Sequence, residues 1–483
     1  MAAYKHGVYT QEQATSLVPM TEVESGLIVA FGTAPVHLAS SPIEANTPML
    51  CYSYAEAVAA FGYSDDWEKY TLSEVIKTQF AYFNMAPVVL VNVLDKGRHI
   101  ERQAATEVDL MERKAVISRP VLLPTLKVAL TSGGAALVQD ADYTAAYDDE
   151  EQLVIHALDG GAIPASAAKL YVEYTMLKPE SVTAEDIIGG IDTATMAAEG
   201  LELVEEVFPR FGLIPGTIIA PGWSEKPEVA AVMAAKVDGI DGHFHAIAIA
   251  DIPTGEVKSY TAASEWKNRN NYTDRNLVAC WPMVRLGNEK FHLSTQIASM
   301  INRTDADHGD VPYYSPSNKR LQANGGCLAD GTEVFLSNLQ ANYLNGQGIV
   351  TALNFIGGWK SWGNRTGAYP SNTDVKDNFI VQRRMFHWVG NTLITSFWAK
   401  IDEPANKRLI ETIIDSANIW LNGLTAKGAL LGGRVEFLES ENPKTDLMDG
   451  KLRFHVYMTP PAPAREIVFI QEYDPRYIDT LFD

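Results

Sequence analysis

Two histidines one residue apart, His243 and His245, open a strand-like run and could share a metal ion. No acidic cluster stands beside them and no HExxH spacing occurs, so they read as surface or turn histidines. Asp148-Asp149-Glu150-Glu151 could attract a cation. It lacks the glycine and the ligand spacing of a calcium loop and reads as a solvated turn. Phosphate chemistry fares no better. Gly423 to Gly428 has the glycine spacing of a phosphate loop, but Ala429 stands where lysine is required. Gly346-Gln347-Gly348 runs on to Thr351 instead of a third glycine, which fits a helix-to-strand turn. For acyl transfer there is no GxSxG elbow, and His308-Gly309-Asp310 has no serine in a matching setting. Cys51, Cys280 and Cys327 are odd in number, far apart and in no CxxC pair, as expected of buried thiols. Trp359, Trp362 and Tyr369 could form a platform for a sugar or base, although packing at a domain boundary is the simpler reading. The expectation is a chain with no catalytic residue, no metal and no cofactor.

Bulk properties point the same way. At 483 residues, with 46% hydrophobic and 20% charged, the chain has the make-up of a globular protein of two to four domains. Its net charge of −21, from 39 basic and 60 acidic residues, argues against nucleic acid as a main partner. Copies that associate must overcome that repulsion through extensive hydrogen bonding or apolar contact. No apolar run reaches the roughly 18 residues of a membrane span. The first residues lack the pattern of an export signal. Membrane insertion is not expected, and a cytoplasm is the expected place of synthesis.

Residues 1–22 are polar and punctuated by proline, with a β-like patch at Gly7-Val8-Tyr9, and read as an extended arm. Leu27–Gly32 and Val88–Leu94 are continuous apolar runs of the kind buried on both faces of a parallel sheet. Ser53–Glu56 and Thr71–Glu74 have capping-box spacing and predict helices between those strands. An α/β domain over 23–95 and 183–368 follows, with a helix at 194–208 and another near 333–344. From 96 to 182 short β-like runs alternate with Gly-rich turns, among them Ala136-Leu137-Val138, which predicts an inserted small β domain. Residues 369–463 pair two helices of regular apolar spacing with two alternating strands, a C-terminal α+β domain. Pro460-Pro461-Ala462-Pro463 is a hinge, and 464–483 a second arm carrying Ile467-Val468-Phe469-Ile470.

Several strings resemble the tail sheath family of contractile phages, tailocins and related injection devices. His6-Gly7-Val8-Tyr9 resembles the family's N-terminal arm, and Trp359-Lys360-Ser361-Trp362-Gly363-Asn364-Arg365-Thr366 its most recognisable segment, a tryptophan-glycine followed shortly by Arg-Thr. Phe379-Ile380-Val381-Gln382-Arg383-Arg384 resembles the helix after it, and Ile467–Ile470 with Tyr477–Leu481 the C-terminal arm. The resemblance implies a core similar in fold to subtilisin but without its active site. It places the inserted domain outward and the C-terminal domain inward, toward a tail tube. It implies rings of six stacked into a sleeve, arms that add strands to a small sheet on neighbouring copies, and baseplate and tail terminator proteins as further partners. The expected location is a virion or injection-particle tail, assembled in the bacterial host cytoplasm. Gly7, Val8, Tyr9 and Ile467–Ile470 are then the inter-subunit contacts. Lys400, Lys407 and Arg408 are candidates to face acidic groups on the tube. Trp362, Gly363, Arg365 and Thr366 are structural motif residues, with Arg365 either an internal anchor or an interface group. Another self-assembling shell component, or a hydrolase built on the α/β core, are the competing readings.

Overall fold

The computed structural model describes residues 17–481. Its centre is an eight-stranded sheet built from β1 (Ile28–Gly32), β2 (Met49–Cys51), β3 (Val88–Asn92), β4 (Thr217–Ile219), β5 (Ile247–Asp251), β6 (Leu277–Cys280), β7 (Ile349–Asn354) and β8 (Trp359–Trp362). The order is β2-β3-β1-β4-β5-β6-β7-β8. Neighbours from β3 to β7 run parallel, and the two edge strands, β2 and β8, run antiparallel to theirs. The inner strands are apolar runs because both faces are covered, so no position needs to face water. Helix α1 (Leu293–Ala306) crosses β1, β4 and β5 and is buried along nearly its whole length.

Between β3 and β4 the chain builds two three-stranded antiparallel sheets. One joins Ile100–Asp109, Lys169–Leu177 and Lys127–Ala129; the other joins Lys114–Ile117, Leu153–Ala157 and Tyr143–Tyr147. Their alternating residues, Val121, Val128, Leu153, Ile155, Leu170 and Val172 among them, form a separate hydrophobic cluster. Ser64 donates to Glu151 at 2.8 Å and the His37 ring meets Tyr147 edge-on, which fastens this unit to the body.

The third part contains α2 (Ile380–Phe397), α3 (Lys407–Ala426) and a two-stranded antiparallel sheet of β9 (Gly432–Glu436) and β10 (His455–Thr459). Helix α2 works on two faces. Met385, Trp388 and Val389 pack with Trp420, Leu421 and Leu424 of α3. The other face is polar and docks on the central sheet: Asn391 exchanges two hydrogen bonds with the His245 backbone, and His387 meets Asn276. Arg384 reaches Asp305 at the end of α1 and the Ser25 carbonyl at 3.2 Å, and the Ser25 hydroxyl donates to the same carboxylate at 2.7 Å. The Asp305 and Arg384 side chains are only 1% and 4% exposed.

The structure differs from the sequence expectations at several places. Residues 17–22, read as part of a loose arm, are extended but stitched to α2 and α3. Val18 and Thr21 donate to Ser416 and Ser396, and Trp420 donates to Glu22. Gly7, Val8 and Tyr9 lie outside the described residues. In place of a helix at 194–208 there is a strand at Ala198–Glu199, a 3₁₀ stretch at Gly200–Glu206 and a short helix at Val207–Phe211. The break sits at Gly200, whose φ is +59° and where a Cβ would lie 2.4 Å from the Ile187 carbonyl. Near 333–344 the helix starts only at Asn338, after a two-residue strand, and is capped by Ser337. Ala136–Val138 forms a single bridge with no strand, and the C-terminal strands lie at 432–436 and 455–459. The predicted Ser53–Glu56 box does form its Ser53 cap, whereas Thr71 bonds Thr33 and leaves Tyr70 as the capping position.

The Asp305–Arg384 pair yields a stability prediction. Removing one partner leaves the other charge buried and unmatched, a loss of about 3 to 5 kcal/mol. Arg384→Met should lower the urea midpoint accordingly, whereas an unchanged midpoint would show that the pair does not hold these parts together.

Candidate assembly interface

The carboxyl ends of parallel strands are where α/β proteins most often place chemistry. Here that edge carries Glu74, Glu225, Asp251, His292 and Ser294. Asp251 ends β5 and Ser294 begins α1; the Ser294 hydroxyl donates to Asp251, and its backbone N–H reaches the other carboxylate oxygen at 2.9 Å. His292 bonds Glu74 through its backbone N–H at 2.8 Å and through Nδ1 at 2.7 Å. The serine is therefore held by a carboxylate and the histidine by a different one. Ser294 and Glu74 are fully buried, so the hydroxyl offers no surface to a substrate. The cluster instead locks the start of α1 to β5 and to the helix at Thr71–Ile76. Sequence reading missed Glu74, because its spacing from Thr71 matched a helix cap. Burial works against the His292 imidazolium, but Glu74, with Asp251 and Glu225, holds its pKa up to about 10. Burial pushes the Asp251 and Glu225 carboxyls above their usual range.

An open sheet edge and an exposed apolar run lie in the last hundred residues. The inner face of the β9–β10 sheet packs on α3 through Val435 and Leu421. The amide of Asn418 takes both backbone groups of Val435, at 2.7 and 3.2 Å. Val435 and its partner Val456 are thus a pair that does not exchange backbone bonds, so Val456 points its own N–H and C=O outward. One edge is partly closed by a side chain. Among the described residues nothing pairs with the outward backbone of Val456 on the other.

Beyond β10 the chain is held once more, where Gln382 donates to the Pro460 carbonyl at 3.0 Å. It then runs without regular structure as far as a 3₁₀ helix at Pro475–Leu481, and Ile467, Val468, Phe469 and Ile470 are all exposed, the last two by 86% and 91%. Four consecutive large apolar side chains in water are a liability for an isolated molecule. Lys400 and Lys407 pair with Glu403 and Glu411, and Arg408 is exposed at the start of α3.

The Trp362–Thr366 segment forms the joint between β8 and α2. Trp362 Nε1 donates to Asn342 at 2.9 Å, Thr366 donates to the Asp377 carbonyl at 2.7 Å, and Arg365 donates to Asn378. Gly363 has φ +147°, and a Cβ there would come within 2.9 Å of the Val350 backbone. Trp359 packs against the central core, while Trp362 and Tyr369 line a cleft, so the three rings make no common platform. His308 donates to the Thr304 carbonyl and stacks on Tyr314. Among the described residues no group of three or more His, Cys, Asp or Glu is gathered as metal ligands, and no helix is long and apolar enough to cross a membrane.

The His292–Glu74 pair makes a pH prediction. The folded imidazole titrates near pH 10, above its ordinary 6.5. Its stabilisation is therefore complete below about pH 6.5 and is lost as pH rises toward 10. The urea midpoint should fall across that window, and His292→Gln should abolish that part of the fall. An identical alkaline profile in the variant would assign the effect elsewhere.

No protein-family model matches the sequence. The tail sheath protein of Burkholderia phage BcepMu is 28% identical, with 99% of each chain aligned. The tail sheath protein of Escherichia phage P2 is 24% identical over 76% of this chain and 87% of its own length. Among solved structures, the contracted sheath complex of the extracellular injection system PVC matches with a TM-score of 0.57 at 14% identity, covering 99% of both chains. The contracted helical sheath of the anti-feeding prophage matches with a TM-score of 0.56 at 17% identity, covering 98% of this chain and all of the other. Over its whole length, in sequence and in fold, the chain is akin to the sheath proteins of contractile phage tails and injection systems.

Proposed function

We propose that this protein is the structural subunit of a contractile sheath. It polymerises as rings of six around a tail tube and shortens to drive that tube through a target envelope. The observation that carries the reading is the combination of an unpaired β10 edge with an exposed apolar arm. A strand laid along an open edge gains a row of backbone hydrogen bonds with little demand on side-chain shape. An arm that leaves one patch and lands on a different patch of the next copy makes a heterologous contact, which propagates a helix. The proline hinge lets rigid bodies rotate while the strands stay paired, which gives a lattice two states and makes contraction the passage between them.

In this reading the body is 23–95 with 183–368 and is similar to subtilisin in its chain path. The 96–182 unit faces outward and the 369–463 unit faces the tube. Baseplate and terminator proteins hold the two ends of the sleeve. Catalysis has no part in it, which the burial of Ser294 supports.

The test is electron microscopy of the full chain and of a chain lacking 1–16 and 465–483, each with and without a candidate tube protein. The full chain should give hollow striated sleeves, and the trimmed chain should stay monomeric with an unchanged circular dichroism spectrum. Sleeves from the trimmed chain, or none from the full chain beside its tube, would refute the proposal.

A further inference from the structure

Among the described residues most lysines and arginines of this acidic chain are matched to a carboxylate. Of those that are not, Lys319 and Lys360 lie on segments that pair in the fold, and Arg365 follows shortly after the second of them. The Lys319 ammonium lies 5.1 Å from the centre of the Tyr314 ring. Lys360 donates to the side-chain oxygen of Asn318 at 3.0 Å. The Arg365 guanidinium is stacked between Phe379 at 3.7 Å and Tyr369 at 4.4 Å, with the Asn378 amide as its side-chain acceptor.

Arg365 lines a cleft of about 820 Å³, together with Tyr314, Asn318 and Tyr369 on the body side; Lys319 and Lys360 do not line it but flank it through their contacts with Tyr314 and Asn318. Its opposite wall is Pro461–Glu466, the root of the C-terminal arm. Arg465 there pairs with its sequence neighbour Glu466 at 3.3 Å, both well exposed, a contact worth little in water. Glu466 is the one carboxylate among the lining residues. Burial, and Arg465 across the cleft, push the Arg365 guanidinium below its usual range.

A half-buried guanidinium between two rings is oriented to receive a carboxylate in a planar, two-pronged contact. The cleft is far wider than a small inorganic anion requires. One of its walls is the arm, whose apolar run has no seat on its own body. A molecule with net charge −21 offers carboxylates on whatever copy lies next to it. We infer that this cleft is a docking seat for a carboxylate-bearing segment of a second copy of this chain, closing around the arm root where the arm leaves the body. The inference rests on the self-assembly reading and adds a site to it: the bound carboxylate sets the direction in which the arm departs.

Native lysines make the test direct. Sleeves assembled from a mixture of ¹⁵N-labelled and unlabelled wild-type chains, with tube protein if needed, are treated with a water-soluble carbodiimide. This reagent joins a lysine amine to a contacting carboxylate with loss of one water. Mass spectrometry should find Lys319 or Lys360 joined to Asp or Glu in mixed-isotope peptides from sleeves, and not from dispersed subunits. Lys360→Ala should remove its link while sleeves still form. Sleeves in which these lysines link only within one copy, only to the tube protein, or not at all would overturn the inference and leave self-assembly standing. If no sleeves form under any condition, the self-assembly reading fails and the seat fails with it.

Discussion

Three stretches far apart in the chain converge on the Asp305 carboxylate: Ser25 just before β1, the end of α1 that carries Asp305, and Arg384 on α2. This buried group joins the central sheet to the helical third part and pins the place where the N-terminal segment enters the body. A charge this deeply buried is tolerated only when matched and hydrogen-bonded. The alignment of α2 with α1 is therefore a condition of the fold. Around that knot the polar face of α2 docks on the sheet and its apolar face on α3. The β9–β10 sheet is thereby held rigidly with respect to the core.

A rigid body with unfinished ends is what a polymer subunit requires. Apolar strands and locked helices fill the middle, including the one serine, carboxylate and imidazole grouping at the sheet edge. That grouping keeps the residue types of a catalytic site but turns them on each other, with serine to aspartate and histidine to glutamate. At the periphery, backbone groups stand unpaired on β10 and apolar side chains stand in water along 467–470. In an isolated molecule an open edge and exposed apolar side chains are liabilities; in the proposed assembly they are the surfaces left for a neighbouring copy.

Much of this was legible in the residues because its signal is local. Continuous apolar runs such as Leu27–Gly32 and Val88–Leu94 announced strands buried on both faces. Where two local rules competed, reading along the chain failed. Glu74 had the spacing of a helix cap, but its carboxylate went to His292, more than two hundred residues away, a contact with no sequence signature. The apolar pattern over 194–208 suggested a helix, but Gly200 sits against the Ile187 carbonyl and takes a left-handed conformation there. The cleft at Arg365 was equally hidden, since Asn318 and Arg365 lie in separate segments and the pairing of 318–321 with 359–361 brings those segments together.

In the proposed assembly an extended segment from another copy completes the open edge of β10. Amide hydrogen exchange, compared between dispersed subunits and assembled sleeves, measures this most directly. The Val456 and Met458 amides and those of 466–470 should exchange rapidly in the subunit and become strongly protected together on assembly. Sleeves that form while the β10 edge goes on exchanging as in the free subunit would contradict it.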